Sequence, residues 1–94
     1  MNIRRRFEFI ITEDMIDAGL KGNELIVFAF IDYKCGKNLD GVYNGGITEI
    51  CMIFDLSQPT VISIVKRLVE KGVVEKTYYV DNNNIKRVSL RTTI

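Results

Sequence analysis

The sequence predicts an α+β fold, mainly α, in which three main helices lead into a C-terminal β-hairpin. Three observations carry that expectation. Residues 47–54 and 61–68 each repeat apolar side chains at the i, i+3, i+4, i+7 spacing of one buried helical stripe. A turn-forming cluster with a capping serine, Ser57, separates them. Two β-rich runs, 73–80 and 85–90, then flank the turn formers Asp81, Asn82, Asn83 and Asn84. A chain of 94 residues supports one hydrophobic core, so residues 1–94 are read as a single domain.

The elements follow in order. Phe7-Glu8-Phe9-Ile10-Ile11 is rich in β-formers and reads as an extended lead-in within residues 1–19. Thr12 can cap a short helix over residues 13–17, whose acids suit a helix N-terminus, and Gly19 ends it. Leu20-Lys21-Gly22-Asn23-Glu24 opens the first substantial helix. Glu24 stands where the acid of a capping box belongs, with Lys21 at the cap site. The apolar run from Leu25 to Ile31 fits a buried strand or a buried helix, and a helix ending at Tyr33 or Lys34 suits its length better. A helix apolar on every side buries more than one stripe, so one face is expected to meet a second protomer. Residues 34–46 form a Gly- and Asn-rich loop, with Val42-Tyr43 as a two-residue strand inside it.

The second helix, about residues 47–54, has the stripe Ile47, Ile50, Cys51 and Phe54. Leu56 plugs the turn, and Pro59 falls where its missing N–H and fixed φ cost little. The third helix buries Val61, Ile64, Val65 and Leu68, ends at Gly72, and has Lys71 beside that terminus. Two short amphipathic helices over 47–71, joined by a tight turn, are the helix-turn-helix arrangement. A hairpin over 73–90 directly after it is a wing.

Composition narrows the function classes. The net charge of +1 hides a segregation: residues 1–6 carry three arginines, residues 7–56 carry three lysines against nine acids, and residues 57–94 carry seven bases against three acids. A nucleic acid responds to the local field, so the basic C-terminal part matters more than the total. Two cysteines and no histidine exclude the common zinc patterns. Cys51 sits where a small core thiol is wanted, and Cys35 has no activating partner in sight. Without histidine, a phosphate loop or a paired-acid cleft, no enzyme, cofactor or metal is expected. No run is long enough to span a bilayer and the start is a poor signal peptide, so a cytoplasmic location is expected.

Ile47-Thr48-Glu49-Ile50-Cys51, Leu56-Ser57-Gln58-Pro59-Thr60-Val61 and Leu68-Val69-Glu70-Lys71-Gly72-Val73-Val74 resemble the winged helix-turn-helix of MarR-type regulators. They resemble still more the helix-turn-helix domains of phage and plasmid replication initiators, the replisome organisers. Those often begin with a segment similar to Leu20-Lys21-Gly22-Asn23-Glu24-Leu25. The resemblance covers about residues 20–90 and is most specific from Ser57 through Val74. It departs at Ile62, where such families show a polar residue, and no long dimerisation helix or replication domain is expected within these residues.

The resemblance implies double-stranded DNA as partner, in transcriptional regulation or replication. With the stripe inward, Gln58, Thr60, Ser63, Lys66 and Arg67 project outward or along the flank, and the capping Ser57 is a further DNA-binding candidate at the helix start. Gln58 can pair with adenine, Thr60 and Ser63 can meet bases or phosphate, and Lys66 and Arg67 meet phosphates; the alternative is a merely solvated helix face. Lys86 and Arg87 on the wing grip backbone or reach the minor groove, or serve only to keep an edge strand from aggregating. Arg4, Arg5 and Arg6 read as a tail more than as a DNA arm. Met52, Ile53 and Ile62 lie off the core stripes. They support a homodimer, or an alternative in which the winged helix is a protein-interaction module without DNA binding.

Overall fold

Seven consecutive apolar residues, Leu25 to Ile31, decide where the core sits. In a computed structural model, which describes residues 9–94, they lie on a helix. The expected tail at Arg4, Arg5 and Arg6 and the start of the lead-in at Phe7 and Glu8 fall outside the described residues. Helix α1 spans Glu13–Asp17, α2 Gly22–Lys37, α3 Gly46–Phe54 and α4 Gln58–Glu70. Strands β1 (Val74–Val80) and β2 (Lys86–Thr92) follow as an antiparallel hairpin. The described chain is therefore α+β and mainly helical, four helices and a two-stranded hairpin, an arrangement compatible with a winged helix.

Helix α2 runs through the middle. Val27, Phe28, Ala29, Phe30 and Ile31 are all buried, which only a helix covered on several sides achieves. Helix α4 and strand β2 both pack on it. The apolar surplus expected to serve a second protomer is thus absorbed within the chain, and of that run only Ile26 is exposed. The helix also runs a turn past its expected end. Gly36 does not break it, because Cys35 faces inward, buried, and its thiol donates to the Leu90 carbonyl at 3.5 Å. Cys51, expected as the core thiol, is only half-buried, and both cysteines are free.

The capping reading of Glu24 also fails. Lys21 is the N-cap and makes no side-chain cap bond, while Glu24 is buried and turned toward α4. Around α1 the sequence reads directly: Thr12 accepts from the Met15 N–H at 3.3 Å, and Met15 is buried.

The loop after α2 contributes more than spacing. Tyr43 exchanges both backbone hydrogen bonds with Leu90, at 2.7 and 2.9 Å, so the expected two-residue strand is a bridge on the free edge of β2. Strand β2 lies between Tyr43 and β1. Side by side they cap one end of the core through Tyr43, Val74 and Leu90, all buried. Strand β2 begins at Lys86 and runs to Thr92, two residues beyond the expected end.

Among the described residues, no single helix is long and apolar enough to cross a membrane. Nor does any group of three or more His, Cys, Asp or Glu side chains stand where it could hold a metal ion.

Candidate nucleic-acid interface

Between α3 and α4 the chain turns by 112° over three residues. Asp55 makes the turn in the left-handed region (φ 52°), which a short polar residue tolerates. The Leu56 N–H then closes back on the Cys51 carbonyl at 3.1 Å. Helix α4 starts cleanly because Ser57 caps it. Its Oγ accepts from the Thr60 N–H at 3.3 Å and shares a 2.7 Å hydrogen bond with the Thr60 hydroxyl. Val61, Ile64, Val65 and Leu68 are buried as the spacing predicts. Each is worth about 1.5–3 kcal/mol of burial, which fixes the rotation of the helix.

That rotation decides what α4 presents. At 3.6 residues per turn, the positions farthest from the stripe are Pro59, Ser63, Lys66 and Glu70. Thr60 and Arg67 lean toward α2, whereas Gln58, Ile62 and Val69 lean to the other flank. Ser57, Gln58, Thr60, Ser63, Lys66 and Arg67 are all exposed. They are not equivalent. Ser57 and Thr60 are engaged with each other in the cap, and Ser63 and Lys66 stand at the centre of the face.

Arg67 has a partner that sequence spacing does not reveal. Thr60, Ser63 and Arg67 line a polar cleft of about 460 Å³ together with Lys21, Asn23 and Glu24 at the start of α2. Glu24 reaches across it to the Lys71 ammonium, and its second oxygen lies 3.9 Å from the Arg67 guanidinium. Lys71 also donates to the Gly19 carbonyl at 3.1 Å. Its role is therefore a tertiary tie in addition to a helix terminus. The sequence does hold a signal: Glu24 is a lone acid ahead of a run that is otherwise apolar to Ile31.

Lys86 and Arg87 stand at the tip of the hairpin, opposite the end where Val74 joins α4. Asp81 organises that tip. Its Oδ1 accepts from the N–H groups of Asn83 and Ile85, at 2.9 and 3.0 Å, and its Oδ2 from Arg87 Nε at 2.8 Å. The Arg87 hydrogen bond, followed by the Ile85 N–H, holds the Asp81 carboxyl below its usual range, and Asp81 in turn raises Arg87. Arg87 is thus a clip on the turn. Lys86 instead lies 4.4 Å from the centroid of the Tyr78 ring.

A concavity of about 680 Å³ lies elsewhere, between the end of α2 and the start of α3. Its titratable core is Tyr43 and Glu49, bonded to each other at 2.8 Å. Burial, and then that carboxylate, push the Tyr43 hydroxyl far above its ordinary range. Burial likewise raises the Cys35 thiol, so neither group is a poised nucleophile.

Set against protein-family models, curated proteins and solved structures, the chain matches none of them.

Proposed function

We propose that the protein binds double-stranded DNA as a winged helix, with α4 in the major groove and the hairpin against the backbone. The observation that carries this reading is the exposed face of α4, centred on Ser63 and Lys66. Its supporting helix is set by a 112° turn, within the range of about 90–120° that helix-turn-helix units use. The bridge of Tyr43 to the free edge of β2 braces the two-stranded hairpin at its base.

Each residue then has a role. Ser63 reaches base edges, and Gln58 reads from the flank of the groove, where an amide can pair with adenine. Lys66 meets phosphate, with no carboxylate within salt-bridge reach among the described residues. Ser57 and Thr60 present the helix N-terminus. Glu70, on the same face one turn later, ends the contact surface because a carboxylate repels phosphate. Use in transcriptional control or in phage or plasmid replication, in the cytoplasm and without catalysis, accords with the resemblance of residues 47–74.

A titration with duplexes selected from a random pool, at two salt concentrations, tests the proposal. Affinity falls steeply with salt, and Lys66→Ala lowers the slope of log K against log salt by about 0.9. Absence of duplex binding at low salt rejects it. One observation favours a second reading, a protein-interaction or homodimer surface: Met52 is 78% and Ile62 50% exposed. Ile53 is half-buried against the core and does not extend that surface.

A further inference from the structure

The two faces of the hairpin differ in charge. We infer that the face carrying Lys76, Tyr78 and Lys86 is the one that meets the phosphodiester backbone of a duplex; this rests on the DNA-binding reading above. The register pairs Lys76 with Leu90, Tyr78 with Val88 and Val80 with Lys86, so these six side chains share one face; Leu90 at its base is buried in the core, whereas Lys76, Tyr78, Val80 and Lys86 are exposed. Glu75, Thr77 and Tyr79 share the other face with Arg91, Ser89 and Arg87.

On that other face both cations are already answered. Arg91 is paired with Glu75, and Arg87 with Asp81. Their charge is spent within the hairpin, and moving either arginine to a phosphate would strand an acid. On the first face, no carboxylate stands within salt-bridge reach of Lys76 or Lys86 among the described residues. The sequence alone gives Lys86 and Arg87 equal standing as neighbours at the tip; the register separates them and adds Lys76.

Tyr78 organises the pair. Tyr78 is 56% exposed, with the Lys86 ammonium 4.4 Å and the Lys76 ammonium 5.6 Å from its ring centroid. A ring face attracts a cation without neutralising it, and each ammonium keeps N–H donors for an oxygen acceptor. Two long side chains gathered on one ring also lose less freedom when a phosphate arrives. Tyr78 is thus a positioning residue for a two-lysine phosphate contact. The hairpin follows α4 after only Lys71, Gly72 and Val73, so this contact is anchored to the helix that enters the groove.

The test measures the salt dependence of duplex binding by the full chain, with folding of each variant checked by circular dichroism. Lys76→Gln with Lys86→Gln lowers the slope by about 0.9 for each phosphate that is no longer neutralised. Between about 50 and 200 mM salt, the fall in affinity then becomes roughly tenfold smaller than in the parent. Arg87→Gln with Arg91→Gln removes the same charge from the opposite face and moves the slope less than half as far. If Arg87→Gln loosens the turn, Arg91→Gln alone against Lys76→Gln alone makes the same comparison. Tyr78→Ala weakens binding with net charge unchanged, and Tyr78→Phe restores it. An arginine pair that matches the lysine pair, or a lysine pair that leaves the slope unmoved, overturns the face assignment while duplex binding stands. Equal binding by Tyr78→Ala removes the positioning role. A parent chain that binds no duplex at low salt overturns the DNA-binding reading itself.

Discussion

Glu24 and Lys71, 47 residues apart, form an ion pair that ties the start of α2 to the end of α4. The Glu24 side chain is 8% exposed and the Lys71 side chain 36%, so the pair is buried on the acid's side and open on the base's. That asymmetry ranks the variants. Lys71→Met leaves a buried carboxylate with only the distant Arg67 as counter-charge, whereas Glu24→Gln leaves an ammonium that water can reach. Glu24→Gln should cost about 1–2 kcal/mol in urea unfolding, and Lys71→Met measurably more. Equal costs would mean that solvent already screens the carboxylate.

The same pair bears on the proposed DNA binding. Glu24→Gln removes an acid beside the exposed Arg67 and frees that guanidinium for phosphate. Less stable but tighter-binding protein is the expected outcome, with a steeper salt slope than the parent. Weaker duplex binding at matched folded fraction would place Arg67 in a structural role instead.

Tyr43 makes stability depend on alkaline pH. Its hydroxyl is buried, bonded to Glu49 and Gly46, and its folded-state pKa is raised. Below the ordinary tyrosine value of about 10 the hydroxyl is neutral in both states, and the contribution is fully present. Above that value the unfolded chain ionises first, so stability falls with rising pH by up to about 1.4 kcal/mol per unit. Cys35, also raised by burial, adds the same sign from a lower starting pH. Urea unfolding at a series of pH values checks this: Tyr43→Phe starts less stable but declines less on going alkaline. Parallel curves for the two proteins would show that Tyr43 ionises as freely folded as unfolded.

How much of this is legible in the residues depends on range. Helix α4 can be read because everything that defines it is local: Ser57 caps it, Pro59 fits its first turn, the stripe recurs every three or four positions, and Gly72 (φ 76°) ends it. Glu24 cannot, because its partner lies on another helix and a capping box explains an acid at that position equally well. Cys35 reads as loop because Gly36 beside it reads as a breaker; burial of Cys35 against Leu90 outweighs the roughly 1 kcal/mol a helical glycine costs. Arg87 looks free when turn residues are read for backbone shape alone, without the third acceptor bond that Asp81 has to spare.

Asp81 gives the hairpin an acid limit. Its folded pKa is depressed, chiefly by Arg87, so its contribution is present above the ordinary aspartate value of about 4. That contribution disappears as pH falls through the lowered folded value. Asp81→Asn should abolish this dependence and speed amide exchange at Asn83 and Ile85, whose N–H groups donate to Asp81. Protection in α4 should be unchanged. Exchange at Ile85 that ignores the substitution would transfer the organising role to the Asn84 left-handed turn (φ 62°).

Met52 and Ile62 allow the two functional readings to be separated. Met52 is exposed on α3, whereas Ile62 flanks the outward face of α4 with Val69 beside it. If α4 enters the groove, Ile62 lies near its wall, and Ile62→Ser changes duplex affinity several-fold at most, since it removes no hydrogen bond or charge. Met52→Ser then leaves affinity untouched. If the surface instead holds a second copy of the chain, both substitutions shift the mass measured by light scattering toward the monomer. A parent protein that is monomeric at micromolar concentration removes the homodimer. A parent that is dimeric and splits with Met52→Ser while duplex binding stays intact shows two separate surfaces at work.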